Sequence, residues 1–353
     1  MGFLSRAASY AHAWVDWAME WARLIEKREV GWLTVVRKTG EYKREKQPLV
    51  EKLRLLILFN PLVEWFDKTN IFRYHLHDKT EPEAKKMQDP RTKTQIKGFV
   101  DFYQIDMNDF TPSDINEYKS FQDFFIRHHK PESRPIAAKD DPSVAVCASD
   151  ARLVVYQRVS EAQKIWIKGH HFSIAALLGG DAVPEAIEEA SKFADGAIAS
   201  FRLSPQDYHR YQSPVTGTVK WFKELDGDYY QVDPLALRSS VDILTRNARS
   251  AVCIGTREFG DVLFVAIGAT EVGTVKLSEK STTPGVQIQK GDEVGIFEFG
   301  GSSIVIAFEQ GRIEFDEDLL SVSKQAIMMD VEVGMSLGKA SRPSAPDGSA
   351  WYC

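Results

Sequence analysis

The stretch GIFEFGGSSIVIAFEQG, residues 295–311, places strand-forming residues on both sides of Gly300-Gly301-Ser302-Ser303. Ile296, Phe297 and Phe299 come before the glycines; Ile304, Val305, Ile306 and Phe308 come after them. This β-branched and aromatic composition is that of half-buried or buried strands. Two glycines between strands ordinarily make a hairpin turn, because glycine reaches positive φ without steric cost. A chemical meaning competes with that one. A serine that follows a glycine of unusual backbone freedom is placed to attack its own chain.

The same texture extends upstream to about residue 144, in SVAVCASDARLVVYQRV (143–159), SPVTGTVKWFKEL (213–225) and DVLFVAIGATEVGTVKL (261–277). Between these runs, SIAALLGG (173–180) and VPEAIEEASKF (183–193) have helical patterns. GFVDFYQIDMNDF (98–110) and SFQDFFIRHHK (120–130) suggest short amphipathic helices ahead of the strands, with a polar, proline-containing linker over 78–96. The expected class is α+β, with N-terminal amphipathic helices followed by a mostly antiparallel β core carrying helical insertions. Three segments are expected: a helical region over 1–95, a catalytic domain over 96–340 and a disordered tail over 341–353, where Ser, Pro and Gly accumulate.

The composition is that of a folded chain, with 43% apolar and 27% charged residues among 353. A formal net charge of −6 argues against a nucleic-acid partner. The first 60 residues run the other way, with eleven Lys and Arg against seven Asp and Glu. Within them, residues 10–29 set Trp14, Trp17, Trp21, Leu24 and Ile25 on one helical face. Such a face suits a membrane surface, although it would equally suit packing on the protein's own core. No leader and no spanning segment is expected: acidic residues interrupt the first 30 positions, and Asn60-Pro61 interrupts the longest apolar run, 53–66. A mitochondrial presequence is unconvincing for the same reason, and a peripheral location on the cytoplasmic face of an endomembrane, or in the cytoplasm, is the expectation. Cys147, Cys253 and Cys353 are too few and too far apart for a disulfide framework.

Common catalytic signatures are absent, including G-x-S-x-G, the P-loop and H-E-x-x-H. His128-His129, His170-His171 and His75 with His77 lack further ligands at metal spacing, so solvated or structural roles are expected and no metal. Islands of unusual wording remain: FFIRHHKPESRPI (124–136), CASDARL (147–153), WIKGHHFSIAALLG (166–179), SPQDYHRYQSPVTGTV (204–219) and KGDEVGIFEFGGSSIVIAF (290–308).

In order and wording these segments resemble the phosphatidylserine decarboxylases, over roughly residues 95–340. YKSFQDFFIRHHKPESRPI is similar to that family's N-terminal signature, IKGHHFSIAALLG to its I-K-G stretch and PQDYHRYQSPVTG to its D-Y-H-R-x-H-x-P segment. YYQVDPLALR, GATEVGTV and KGDEVGIFEFGGSS follow in register, the last resembling the G-G-S-[ST] processing motif of fungal-type members.

The resemblance implies that Ser302 attacks the carbonyl of Gly301, converting amide to ester. Elimination would then leave chains of residues 1–301 and 302–353, the second headed by a pyruvoyl group made from Ser302. That group would serve in place of pyridoxal phosphate, withdrawing electrons as phosphatidylserine loses carbon dioxide and becomes phosphatidylethanolamine. The resemblance further implies an Asp-His-Ser arrangement for processing, with Asp150 as the carboxylate, and assigns His209 to decarboxylation. Lys168 is a candidate contact for an anionic substrate. The partners implied are a phospholipid at a membrane surface and a second copy in a homodimer.

One position departs from the pattern. Where the family carries the triad histidine, this chain has Gln212. An amide cannot accept a proton near neutral pH, whereas an imidazole can. His209 serving both steps, slower processing through water and Asp150, and loss of cleavage altogether are the three consequences left open. Two other functions stay in view: decarboxylation of a soluble, aromatic amino acid, and a non-catalytic relative that remains uncleaved.

Overall fold

Apolar runs without polar alternation, such as VLFVAI at 262–267 and IVIAF at 304–308, belong to strands covered on both faces. The computed structural model describes residues 33–45, 86–165, 172–180, 184–227, 243–268, 275–299 and 302–341. Its strands are β1 (Leu33–Val36), β2 (Tyr42–Arg44), β3 (Phe110–Thr111), β4 (His128–His129), β5 (Val144–Val146), β6 (Ala151–Tyr156), β7 (Ala197–Leu203), β8 (Arg210–Gln212) and β9 (Gly217–Leu225). There follow β10 (Arg249–Gly255), β11 (Asp261–Gly268), β12 (Val275–Leu277), β13 (Gln287–Ile288), β14 (Glu293–Phe297), β15 (Ser302–Phe308), β16 (Ile313–Phe315), β17 (Met328–Val331) and β18 (Ser336–Ala340).

Ten of these form one sheet in the order β13-β9-β10-β11-β15-β7-β6-β17-β1-β2. Every pairing in it is antiparallel except β1 with β17. The α+β class with a mostly antiparallel core is therefore what the chain adopts. β6, β7, β11 and β15 are buried along their whole lengths. The helix Glu317–Lys324 lies over β6, where Ser323 Oγ accepts the Val155 N–H at 2.9 Å and Leu319 is buried.

β14 belongs to a different, three-stranded sheet, β12-β14-β8. The strands on either side of Gly300-Gly301 are thus not hairpin partners. β14 pairs with β8 and β12, while β15 pairs with β11 and β7. The hairpin expectation fails because the strand that ends at Phe297 and the strand that begins at Ser302 belong to different sheets.

A second, smaller core fixes the approach to that crossing. Ile96, from the helix Thr94–Tyr103, packs with Phe121, Phe124 and Phe125 from the helix Phe121–Phe125, and Phe299 packs against them. Ser120 caps the shorter helix, accepting the Asp123 N–H at 3.2 Å. The polar stretch expected as linker through residue 96 gives way earlier, because Asp89 accepts the Arg91 N–H and starts a turn at Pro90–Lys93 that runs into the helix. The amphipathic pattern at 10–29, the apolar run at 53–66, Lys168, Gly301 and the tail from 342 lie outside the described residues. Among the described residues no helix is long and apolar enough to cross a membrane.

Candidate active site at the sheet crossing

Residues directly opposed in an antiparallel pair share a face of the sheet. Ser302 lies opposite Gly268 on β11 and Leu203 on β7. The next rows on its face are Ile304, Ala266 and Phe201, then Ile306, Phe264 and Ala199. Ser303 points to the other face, in a row with Arg202, Arg152 and Asp330. Period-two alternation thus sends neighbouring hydroxyls into different surroundings. Ser303 Oγ donates to the Phe201 carbonyl at 2.8 Å. Ser302 Oγ is fully buried and has no hydrogen-bond partner. A buried polar group left unmatched costs about 1–3 kcal/mol.

β8 covers the Ser302 face. The Tyr211 ring packs 5.6 Å from Phe264 and 4.6 Å from Phe297, centroid to centroid. Gly295 makes that approach possible, since a methyl group there would collide with the Tyr211 hydroxyl and the Lys276 carbonyl. His209, two residues earlier, accepts the Phe297 N–H on its main-chain carbonyl at 2.9 Å. Its buried ring lies 3.8 Å from that of Phe125, which is itself 5.1 Å from Phe299. His209 is therefore tied to both residues that lead the chain toward the glycines. Its Nδ1 is 3.0 Å from the Asp207 carbonyl, so Nδ1 carries the proton and Nε2 the basic lone pair.

Asp150 immediately precedes β6. The pairing of Arg152 with Arg202 sets Ala151 beside Leu203, so Asp150 lies at the same end of the sheet as Ser302, with β7 between their strands. Its imidazole partner is His129, whose Nε2 is 3.1 Å from Asp150 Oδ2. Arg134 Nη2 donates to the same oxygen at 2.9 Å, and the Val333 N–H to Oδ1 at 2.8 Å. Burial alone would raise this carboxyl. The hydrogen bond and charge of His129, followed by those of Arg134, outweigh it and hold Asp150 well below the usual carboxylate range. Because an ionised carboxylate only accepts, His129 Nε2 must carry the hydrogen of that contact.

His129 and Arg134 are the site residues that sequence reasoning missed. His129 is buried against Phe110 and Tyr208, at 4.5 and 4.2 Å between ring centroids, so the expectation of a structural role holds for it and that of a solvated one does not. The signal was faint. A period-two reading of His128-His129 turns one ring outward and the other inward, and nothing in the sequence pairs position 129 with position 150.

Gln212 ends β8. Its N–H donates to the Ala148 carbonyl at 2.8 Å, which draws it toward the Asp150 turn. Its Oε1 is buried and unpartnered. The structure thus brings Asp150, Gln212, His209 and Ser302 to one end of the sheet, but gives Asp150 an imidazole from β4 rather than from the D-Y-H-R segment. Among the described residues no group of three or more His, Cys, Asp or Glu side chains is placed to hold a metal ion.

A family model described as phosphatidylserine decarboxylase matches residues 121–339, which include every one of these positions. The chain belongs to the phosphatidylserine decarboxylase family. Among its relatives, phosphatidylserine decarboxylase proenzyme 2 of rice (Oryza sativa subsp. japonica) is 40% identical, over 76% of this chain and 42% of that protein. Proenzyme 3 of Schizosaccharomyces pombe is 35% identical, over 88% of this chain and 31% of that protein. The proenzyme of Chlamydia trachomatis serovar D is 33% identical, over 80% of this chain and 83% of that protein. This member of the family spans less than half the length of the plant and fungal relatives, and most of the length of the bacterial one.

Proposed function

We propose that the chain is a self-processing decarboxylase that converts phosphatidylserine to phosphatidylethanolamine and carbon dioxide. The observation that carries this is Ser302 Oγ, fully buried and unpartnered at the end of a two-glycine crossing between sheets. A folded protein keeps an orphaned hydroxyl at a cost in stability, and a nucleophile held for one intramolecular reaction accounts for it. Family membership and the names of the relatives supply the substrate class.

In this mechanism Ser302 Oγ attacks the Gly301 carbonyl carbon, and glycine offers no side chain to obstruct the approach. His209 takes the hydroxyl proton on Nε2, its Nδ1–H being anchored on the Asp207 carbonyl. Asp150 holds the neighbouring turns in place through Arg134, His129 and Val333. After elimination the new chain begins at residue 302 and bears the pyruvoyl group, which supplies the electron-withdrawing carbonyl that decarboxylation needs. A buried hydroxyl, a preceding glycine and a positioned histidine are the donor set from which such a group is made. The tryptophan-bearing segment at 10–29 and the basic residues after it bring the enzyme to the lipid surface.

Gln212 favours a second reading, an uncleaved relative that keeps the fold. The intact mass of the purified protein under denaturing conditions, beside Ser302→Ala, separates the two. The decarboxylase reading expects two fragments from the wild type only, with the smaller one lighter than a serine-headed chain by one ammonia. One uncleaved chain in both samples would sink it.

A further inference from the structure

We propose that Glu45 is a positioning residue for self-cleavage, holding the end of β7 and the turn that carries His209 in the geometry the reaction needs. This rests on the reading that Ser302 attacks its own chain with His209 as base. Glu45 directly follows β2, and its side chain is 2% exposed. Its Oε2 accepts Arg202 Nη2 at 2.5 Å, and its Oε1 accepts the Ser204 hydroxyl. Those two residues flank Leu203, the residue of β7 that lies opposite Ser302. One carboxylate therefore grips the strand on both sides of the nucleophile's neighbour.

The same contact leads on to the base. Ser204 and Asp207 close a turn, in which the Asp207 N–H donates to the Ser204 carbonyl at 2.9 Å and the Ser204 N–H to Asp207 Oδ2 at 2.7 Å. Arg152 Nη1 donates to the Asp207 carboxylate at 2.6 Å. The Asp207 carbonyl accepts the His209 Nδ1–H at 3.0 Å. An unbroken run of hydrogen bonds thus joins the hairpin of β1 and β2 to the ring that takes the proton.

Stability alone is a weak reason for this arrangement. Desolvating an ion pair costs about as much as its attraction returns, and an apolar pair of similar volume commonly serves as well. What a carboxylate adds is direction, because its two acceptor oxygens set two partners relative to each other. Here those partners stand beside the residue that faces Ser302, and the base must come within hydrogen-bond reach of that hydroxyl. A misplacement of about 1 Å at such a site costs on the order of 10²-fold in rate. Arg127 Nη2, which donates to the Gln206 carbonyl at 2.7 Å, also supports the turn, so losing Glu45 displaces the turn rather than unfolding it.

The test uses the full chain. Glu45→Gln keeps the size of the side chain and removes its charge and one acceptor oxygen. Arg37→Met is the comparison, because Arg37 ties the same hairpin down through Asp316, Asp318 and the Ser336 carbonyl, away from the Ser204–Asp207 turn. Fragment formation, followed by denaturing mass spectrometry, is expected to slow by about 10–10²-fold in Glu45→Gln and by less than about 3-fold in Arg37→Met. The second readout is the tautomer of His209, from nitrogen-15 NMR of histidine-labelled chain in the Ser302→Ala background, with His209→Gln assigning the signal. Ser302→Ala alone and with Arg37→Met should show the Nδ1–H form, and adding Glu45→Gln should give a mixture, because that form persists only while the Asp207 carbonyl is held against it. Ser204→Ala, which removes the hydroxyl half of the grip and no charge, should show both effects at smaller size and reports instead if Glu45→Gln does not melt cooperatively. Equal slowing in Glu45→Gln and Arg37→Met, an unslowed Glu45→Gln chain, or an unchanged tautomer would overturn the assignment while leaving self-processing intact. A wild-type chain that never cleaves would overturn both.

Discussion

Ser302 and Ser303 are neighbours in sequence and opposites in surroundings. The Ser303 face carries charge that is paired, with Arg152 Nε and Arg202 Nε nonetheless buried without a hydrogen-bond partner. Arg202 meets Glu45 at 2.5 Å, Arg152 meets Asp207 at 2.6 Å, and Ser204 shares Glu45. The Ser302 face is nearly all apolar, and its one hydroxyl, Ser302 Oγ, has no hydrogen-bond partner. One face uses buried polarity to hold β6, β7 and β17 in register. The other leaves a lone hydroxyl unsatisfied next to the glycines, and on the proposed reading that is where a bond is broken.

The largest expected effect breaks that contrast at its centre. Ser302→Ala should abolish self-cleavage, whereas Ser303→Ala should leave it within about 10-fold, since Ser303 loses one hydrogen bond to Phe201 and no reacting atom. Fragment formation by mass spectrometry reads both. A folded Ser303→Ala chain that stays whole would show that the two hydroxyls are not divided as their faces suggest. On the charged side, Arg202→Met removes the cation that Glu45 contacts directly, leaving it the charge of Arg152 and the Ser204 hydroxyl, and should cost about 3 kcal/mol in urea unfolding, with part recovered on adding Glu45→Gln. A loss below 1 kcal/mol would mean that the ionic face contributes little to holding the sheet.

Much of this was legible beforehand, and the reasons differ by element. The strand runs announce themselves, because strands buried on both faces need continuous Val, Ile and Phe, and the motif around Gly301-Ser302 is specific enough to carry a family resemblance. The crossing between sheets was not legible. A strand-glycine-glycine-strand pattern is identical whether the second strand turns back on the first or leaves it, and only the pairing of β14 with β8 and of β15 with β11 decides. The Asp150–His129 contact was hidden for a similar reason: it joins residues 21 apart through the pairing of β3 with β4, and no local periodicity encodes it. Gln122 looked like any polar residue on an amphipathic helix until its oxygen was found on Phe299.

Gln212→His sharpens the comparison from the catalytic side. An added imidazole beside Tyr208 and the Ala148 turn supplies a second base, yet Asp150 is already committed to His129, Arg134 and Val333. The cleavage rate should therefore rise by less than about 10-fold, against the 10²–10⁴-fold that a well-oriented base can contribute. A larger gain, removed again by Asp150→Asn, would mean that Asp150 exchanges His129 for the new ring. Cleavage that appears only in Gln212→His would instead favour the uncleaved relative.

The smallest expected effect is a pH dependence that belongs to one face alone. Burial opposes ionisation of Glu45, but Arg202 and Arg152 outweigh it and bring the carboxyl down to about 2. The unfolded chain holds this group near the ordinary value of about 4.3, so over the interval between them the unfolded state binds more protons. The contribution of Glu45 is then complete above about pH 5 and disappears as the pH falls from about 4 toward 2. Urea midpoints measured in Ser302→Ala at pH 7, 5, 4 and 3 should rise as the pH falls from about 6 to 4, where burial pushes Asp207 up to about 6 and the folded chain binds the extra proton, and drop below 4 as Glu45 is protonated. Adding Glu45→Gln should lower the midpoints and make the drop shallower, by an amount on the order of 2 kcal/mol across the window. Asp150, held low by His129 and Arg134, keeps the residual slope in that variant. Adding Gln122→Met in place of Glu45→Gln should leave the slope unchanged, because it removes no titratable group. Equal slopes in all three chains would place the acid sensitivity outside both faces and remove the electrostatic half of the contrast.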